Sequence, residues 1–226
     1  MVVGAKQKLA VAWSSGKDSA WALSGLQQDE RFEVAALLTT LSEEDGSIGI
    51  HGTSRDVLHA QLAAIGLPLY EVWLPRPCPN EVYEQRLREC AWLLLANDIT
   101  ALAFGDLQLV DIRQYREALF ADSGLDLLFP LWQRSTRDLA GEMLAGGLQA
   151  VVCCVQHALL PASLLGRPYD AEFLAELPEG VDPYGENGEF HTIVTAAPCM
   201  SVKLDLVPGD IRRDEVHSWL EFQPVE

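Results

Sequence analysis

The stretch "VAWSSGKDSAWAL", residues 11–23, joins an apolar run to a helical pattern through small and polar residues. If Leu9–Trp13 is a strand and residues 18–28 a helix, then Ser14-Ser15-Gly16-Lys17-Asp18-Ser19 lies at a strand's carboxyl end and opens a helix. Such a helix start offers unpaired N–H groups and a partial positive charge, a ready place for phosphate. Gly16 lets a ligand approach the backbone, Ser14, Ser15 and Ser19 add hydroxyls, and Lys17 adds charge. The segment is no Walker A loop: Val11 stands where that motif needs its first glycine, and Asp18 where it needs Ser or Thr. The plainer alternative is a polar turn in which Ser14 or Asp18 caps the helix.

Outward from this stretch the chain alternates strand and helix patterns. Strands are predicted at 34–40, 69–75, 100–106 and 126–132, and helices near 54–65, 80–97 and 112–122. On the helix near 54–65, Leu58, Gln61, Leu62 and Ile65 recur at helical spacing, one amide on an apolar stripe. This alternation, with nearly continuous apolar strands, predicts an α/β fold with a Rossmann-like parallel sheet covered on both faces. The segment 42–52, with Gly46, Gly49 and Gly52, reads as a long polar loop able to close over a site. A helix at about 135–146 and an apolar strand at 148–155 follow. Prolines 161, 168, 178 and 183 then interrupt the chain, and two late strands, 192–196 and 200–207, are expected to pair antiparallel. The expected organisation is a phosphate-binding domain over residues 1–132 and a smaller α+β lobe over 133–226.

Composition narrows the function classes. Of 226 residues, 49% are hydrophobic and 22% charged, a balance that fills a globular core. The net charge of −17 repels a phosphate backbone, so broad nucleic-acid binding is disfavoured, although one local nucleotide pocket is not. No apolar run is long enough to span a bilayer and the N-terminus lacks a signal-peptide core, so a cytoplasmic protein with no membrane partner is expected. The five cysteines form no CxxC pair, and buried free thiols are the expectation for Cys153 and Cys154.

Residues 14–19 resemble the pyrophosphate loop S-G-G-x-D-S of the PP-loop ATP pyrophosphatases, with Ser15 in place of the first glycine. Three further stretches keep the order of one family within that superfamily. His51-Gly52 precedes a helix ending in Ile65-Gly66-Leu67-Pro68-Leu69; Gly105-Asp106-Leu107 is followed by Asp111, Arg113 and Arg116; and Gly185-Glu186-Asn187-Gly188-Glu189-Phe190-His191-Thr192 comes late. Together these resemble the diphthine–ammonia ligase family, the adenine nucleotide alpha-hydrolase-like proteins, over about residues 9–205.

The resemblance implies strand order 3-2-1-4-5 in the first domain, ATP and Mg²⁺ as cofactors, and ammonium as nitrogen donor. It implies an amide-forming ligase that cleaves ATP to AMP and pyrophosphate by way of an acyl-adenylate. The carboxylate would be diphthine on elongation factor 2 in a cell that makes diphthamide, and another carboxylate elsewhere. It assigns Ser14, Ser15, Gly16, Lys17 and Ser19 to the phosphates, with Gly105 and Asp106 at the same rim. Asp18 would hold Mg²⁺ or cap the helix. Arg113 and Arg116, on one helix face, would hold an anionic substrate or form surface ion pairs; His51 would contact substrate from its loop or stay on the surface. Glu186 and Glu189 would hold an amine or Mg²⁺ or form a solvated turn, and His191 would carry a proton. A tRNA-modifying PP-loop enzyme and a non-catalytic nucleotide-binding regulator are the competing readings, and assembly of like chains is open.

Overall fold

The computed structural model describes residues 5–225; residues 1–4 and Glu226, at the two ends of the expected domains, lie outside the described residues. β1 (Gln7–Ala12) is central in a five-stranded parallel sheet with β2 (Phe32–Ser42), β3 (Leu69–Leu74), β4 (Ala101–Ala103) and β5 (Asp126–Leu128). The order is β3-β2-β1-β4-β5, as expected; Leu9 faces Val34 on one side and Ala101 on the other. Leu9, Ala10 and Val11 are wholly buried because helices cover both faces. α3 (Asn80–Ala96) and α4 (Val110–Phe120) cover the face carrying Ala10, and α1 (Lys17–Gln28) and α5 (Thr136–Ala145) the face carrying Leu9 and Val11.

Between β2 and β3 runs α2 (Arg55–Ile65). Ser54 caps its start by accepting from Val57 N, and Gly66 ends it at φ 75°. The 42–52 loop does not stand open. Ile48 bridges to Leu41 and Thr53, and Trp219 Nε1 donates to Ile50 O at 2.8 Å.

The second sheet is antiparallel, with order β7-β6-β9-β8, built from β6 (Gln149–Gln156), β7 (Phe190–Ala196), β8 (Leu206–Arg213) and β9 (His217–Pro224). The expected pairing of 192–196 with 200–207 is not found. β6 is buried along most of its length and takes an inner position between β7 and β9, while β8 pairs with β9 as a largely exposed edge. An edge strand with its side chains in water carries little apolar periodicity, so the sequence pattern missed it.

One core cluster crosses from the first sheet to the second. It runs from Leu9, Val11 and Leu23 through Leu139 and Met143 to Phe173, Phe190 and Val194. Phe190 is 1% exposed and meets Phe173 edge to face, with centroids 5.1 Å apart. Burying a side chain of this size contributes roughly 1.5–3 kcal/mol, and here it pins the start of β7 beside the carboxyl end of β1. All five cysteines are free; burial pushes the Cys154 thiol up to about 12 and Cys153 well above its usual value, so both are inert.

Candidate functional site

In an open parallel sheet, ligands enter at the carboxyl ends of the strands, where the order reverses. Here that place lies between β1 and β4, and a cavity of about 720 Å³ opens there. The volume is that of a small-molecule site. Apolar side chains including Leu38, Leu102 and Phe104 line one part; Ser14, Lys17, Asp18, Ser19, His51, Asp106, Glu186 and His191 line the rest.

The 14–19 loop is organised mostly by itself. Ser19 Oγ donates to Gly16 O at 3.0 Å, lies 3.2 Å from Ser14 Oγ and accepts from Ser14 N. Gly16 is the N-cap residue of α1, so neither Ser14 nor Asp18 takes the capping position that the plainer alternative gave them; Ser14 Oγ instead accepts from Gly16 N at 3.4 Å. Lys17 N donates to Thr192 Oγ1 at 3.2 Å; among the described residues the N–H groups of Asp18 and Ser19 have no acceptor, the condition in which a helix start takes an anion. Lys17 is 3% exposed, with Nζ 2.7 Å from Asp18 Oδ1 and 3.9 Å from the centre of the Tyr184 ring. Ser15 is fully buried at φ 69°, a left-handed conformation that costs a non-glycine residue of order 1 kcal/mol.

Strand β7 lies directly against this loop. Val194 N donates to Ser15 O at 2.9 Å, and a Cβ on Gly16 would come within 3.2 Å of Thr192 O and 2.5 Å of His51 Cε1. A side chain at 16 would displace the His51 ring and press on the β7 backbone, so glycine suits that approach. Across the loop, a Cβ on Gly105 would lie 3.1 Å from the Asp18 carbonyl carbon, so β4 also closes on the helix start. Thus the 185–192 turn, distant in sequence, shares the cavity with residues 14–19.

His51 Nδ1 is 3.0 Å from Thr192 O; a carbonyl only accepts, so Nδ1 carries the proton and Nε2 is free to accept. The His51 and His191 rings stand 4.9 Å apart. His191 Nε2 is buried with no partner among the described residues. Burial, then the neighbouring His51 and Lys17, hold His191 well below the usual histidine range; burial also lowers His51. Both rings are therefore neutral at neutral pH.

The carboxylates separate. Glu186 lines the cavity and accepts from Gln108 N at 2.8 Å; burial raises its pKa, and the charges of Asp18 and Asp106 push the same way. Glu189, 2% exposed, does not line the cavity. It accepts from Asp182 N at 3.1 Å, Asn187 N at 2.9 Å and Asn187 Nδ2 at 3.0 Å, tying the turn from within. Gly185, at φ 74° with Phe190 O 2.7 Å from where a Cβ would be, completes that tight turn.

The two arginines also separate. Arg116 lines the cavity and holds Asp106 with two bonds, Nε–Oδ2 at 2.6 Å and Nη2–Oδ1 at 3.2 Å. Arg113 does not line it. Its guanidinium pairs with Glu117 at 2.7 Å and stacks on Phe129 and Trp132, each 4.6 Å away. Arg113 is thus occupied by its own helix and two aromatic rings, the surface ion pair of the two readings.

Among the described residues no group of three or more His, Cys, Asp or Glu side chains forms a metal cage. Mg²⁺ does not need one, because it binds through one or two carboxylates, phosphate oxygens and water. Asp18, a third exposed and facing the cavity, fits that requirement.

Three residues outside the expected set hold the site together. Gln61, wholly buried, bonds to Trp13, Ser15 and Val194. Thr192 accepts from the start of α1, and Tyr184 forms the face under Lys17. Gln61 had a sequence signal, a lone amide on an apolar stripe; Tyr184 had none.

Two family models match the chain in succession: the diphthamide synthase N-terminal domain over residues 7–127 and the diphthamide synthase C-terminal domain over residues 135–224. Over 100 residues the chain is 34% identical to the diphthine–ammonia ligase of Bos taurus and 33% identical to that of Homo sapiens; each alignment covers 42% of this chain and 36% of the relative. The match thus spans about a third of those relatives' own length.

Proposed function

The chain belongs to the diphthamide synthase family, and on that premise we propose that it is an ATP-dependent ligase that converts a carboxylate to an amide by way of an acyl-adenylate. One observation carries the reading: the 14–19 loop and the 185–192 turn wall one cavity, joined by Lys17 N to Thr192 Oγ1 and Val194 N to Ser15 O.

The chemistry follows from the leaving groups. A carboxylate would have to expel oxide, so it first attacks the α-phosphorus of ATP; the bond to the β-phosphate oxygen breaks and pyrophosphate leaves. The acyl-adenylate then accepts ammonia at the acyl carbon, AMP leaves, and one proton is released. The apolar floor suits the purine ring. The N–H groups of Asp18 and Ser19, the hydroxyls of Ser14 and Ser19, and the charge of Lys17 suit the departing pyrophosphate, since such catalysis is largely positioning and fixed electrostatics. Asp18 would hold Mg²⁺, which neutralises phosphate charge when bound.

The turn wall suits the second step. Ammonia attacks as the neutral molecule and becomes cationic only after bonding to carbon. His191 Nε2, neutral and with no partner among the described residues, would take the released proton, and Glu186 would accept a hydrogen bond from the incoming nitrogen. Glu189 acts through the turn as a positioning residue. In cells that make diphthamide the carboxylate would be diphthine on elongation factor 2.

The test is product analysis with ATP, Mg²⁺, ammonium, and a panel of carboxylates that includes elongation factor 2 bearing diphthine. AMP and pyrophosphate that appear only with a carboxylate support the reading. ADP and phosphate, or hydrolysis indifferent to every carboxylate, overturn it.

A further inference from the structure

Gln61 stands on the inner face of α2 and uses its whole hydrogen-bonding capacity. Oε1 accepts from Trp13 Nε1 at 3.1 Å and from Ser15 Oγ at 2.5 Å; Nε2 donates to Ser15 O at 3.2 Å and Val194 O at 2.9 Å. The amide has one orientation, because an indole N–H only donates and the Val194 carbonyl only accepts. Ser15 O takes a second bond from Val194 N at 2.9 Å. Both oxygens of Ser15 are therefore held by Gln61, and one of them also by β7.

The residue gripped in this way is the one at φ 69°. A non-glycine residue persists there when its surroundings over-determine it. Ser15 is also the hinge of the site: its dihedrals set the direction in which the chain leaves β1 and enters α1, and hence where the N–H groups of Asp18 and Ser19 point. An apolar side chain at 61 would fill the same space between α2 and the sheet but hold none of these atoms.

We propose that Gln61 is a positioning residue of the phosphate loop: its amide holds Ser15 in the left-handed conformation and so presets the first turn of α1 for a polyphosphate. This deepens the nucleotide reading above and rests on it.

The probes are inorganic pyrophosphate and α,β-methylene-ATP, each with Mg²⁺, titrated calorimetrically. The proteins are the native chain, Gln61→Leu, Ser15→Gly and the double variant. Glycine takes φ 69° unaided, so the two positions are coupled. Gln61→Leu weakens pyrophosphate binding about tenfold with serine at 15, and by less than about threefold with glycine there. Equal losses on both backgrounds mean a merely structural glutamine and overturn the proposal. If the native chain binds neither probe, the nucleotide reading itself falls, and the proposal with it. Should Gln61→Leu not fold, Ser15→Ala and Ser15→Gly decide. Alanine keeps the strain and loses the Oγ bond, so the glycine variant binds pyrophosphate about threefold tighter or more. Equal binding, or tighter binding by alanine, overturns the proposal.

Discussion

The two walls of the cavity are built on opposite plans. Apart from Ser15, whose hydroxyl bonds to Gln61, the 14–19 loop satisfies its side chains internally: Ser14 with Ser19, Ser19 with Gly16, Lys17 with Asp18. What it leaves free is backbone, the N–H groups that begin α1. The 185–192 turn is tied from within by the buried carboxylate of Glu189, which accepts from Asn187 N and from Asp182 N, and among the described residues it leaves the His191 Nε2 side-chain atom without a partner. A wall that offers backbone donors suits a constant ligand such as a polyphosphate. A wall that offers side chains suits the reacting groups, which differ with the substrate.

That contrast can be broken by substitution. The largest effect is expected at Glu189. Replacing it by alanine removes three hydrogen bonds to a buried charge and leaves their donors unpaired, which costs about 3 kcal/mol or more. Amide exchange over residues 182–188 should quicken sharply, while pyrophosphate binding at the loop changes little. If exchange at the loop quickens as much, the walls are one cooperative unit and the contrast fails.

Next is Ser19→Ala. It removes a hydroxyl that orders Ser14 and faces the cavity, so nucleotide affinity should fall by roughly 1–3 kcal/mol with little change in melting temperature. Unchanged affinity would remove Ser19 from the phosphate site.

A third test uses pH. His191 has a folded pKa below its ordinary value of 6.5, so the folded chain binds fewer protons than the unfolded one below that pH. Its contribution to stability is complete above about 6.5 and is lost as the pH falls. Glu186, raised from 4.5, has the opposite sign, and it is present in both the native chain and His191→Gln. Between about pH 7.5 and 5.5 the melting temperature of the native chain should therefore fall more steeply than that of His191→Gln. Parallel curves would show that His191 is not the depressed group.

The smallest effect is expected from Arg113→Ala. Its exposed pair with Glu117 and its stacking on Phe129 and Trp132 contribute about 1 kcal/mol, and turnover should not change. A large loss of turnover would return Arg113 to the substrate site.

The sequence carried the first sheet almost completely, because a buried parallel strand such as Leu9–Val11 must be apolar throughout and its neighbours must alternate with helices. It also carried both walls, since local spacing places Gly16 at a helix start and Gly185 and Gly188 in a tight turn. It could not show which way a side chain in that turn faces. Glu186 and Glu189 are equivalent on paper, yet one meets the cavity and the other the turn's own N–H groups. Arg113 and Arg116 differ in the same way, through partners from other elements. Gln61 showed only as one amide on an apolar stripe. Its role depends on Trp13, Ser15 and Val194, which the fold alone brings together.

One nucleotide should touch both walls, and a crystal structure of the chain with α,β-methylene-ATP and Mg²⁺ would show whether it does. The expected density has the β- and γ-phosphates on the N–H groups of Asp18 and Ser19, and the α-phosphate facing Glu186 and His191 across the cavity. A nucleotide bound elsewhere, or one whose α-phosphate turns away from the 185–192 turn, would contradict it.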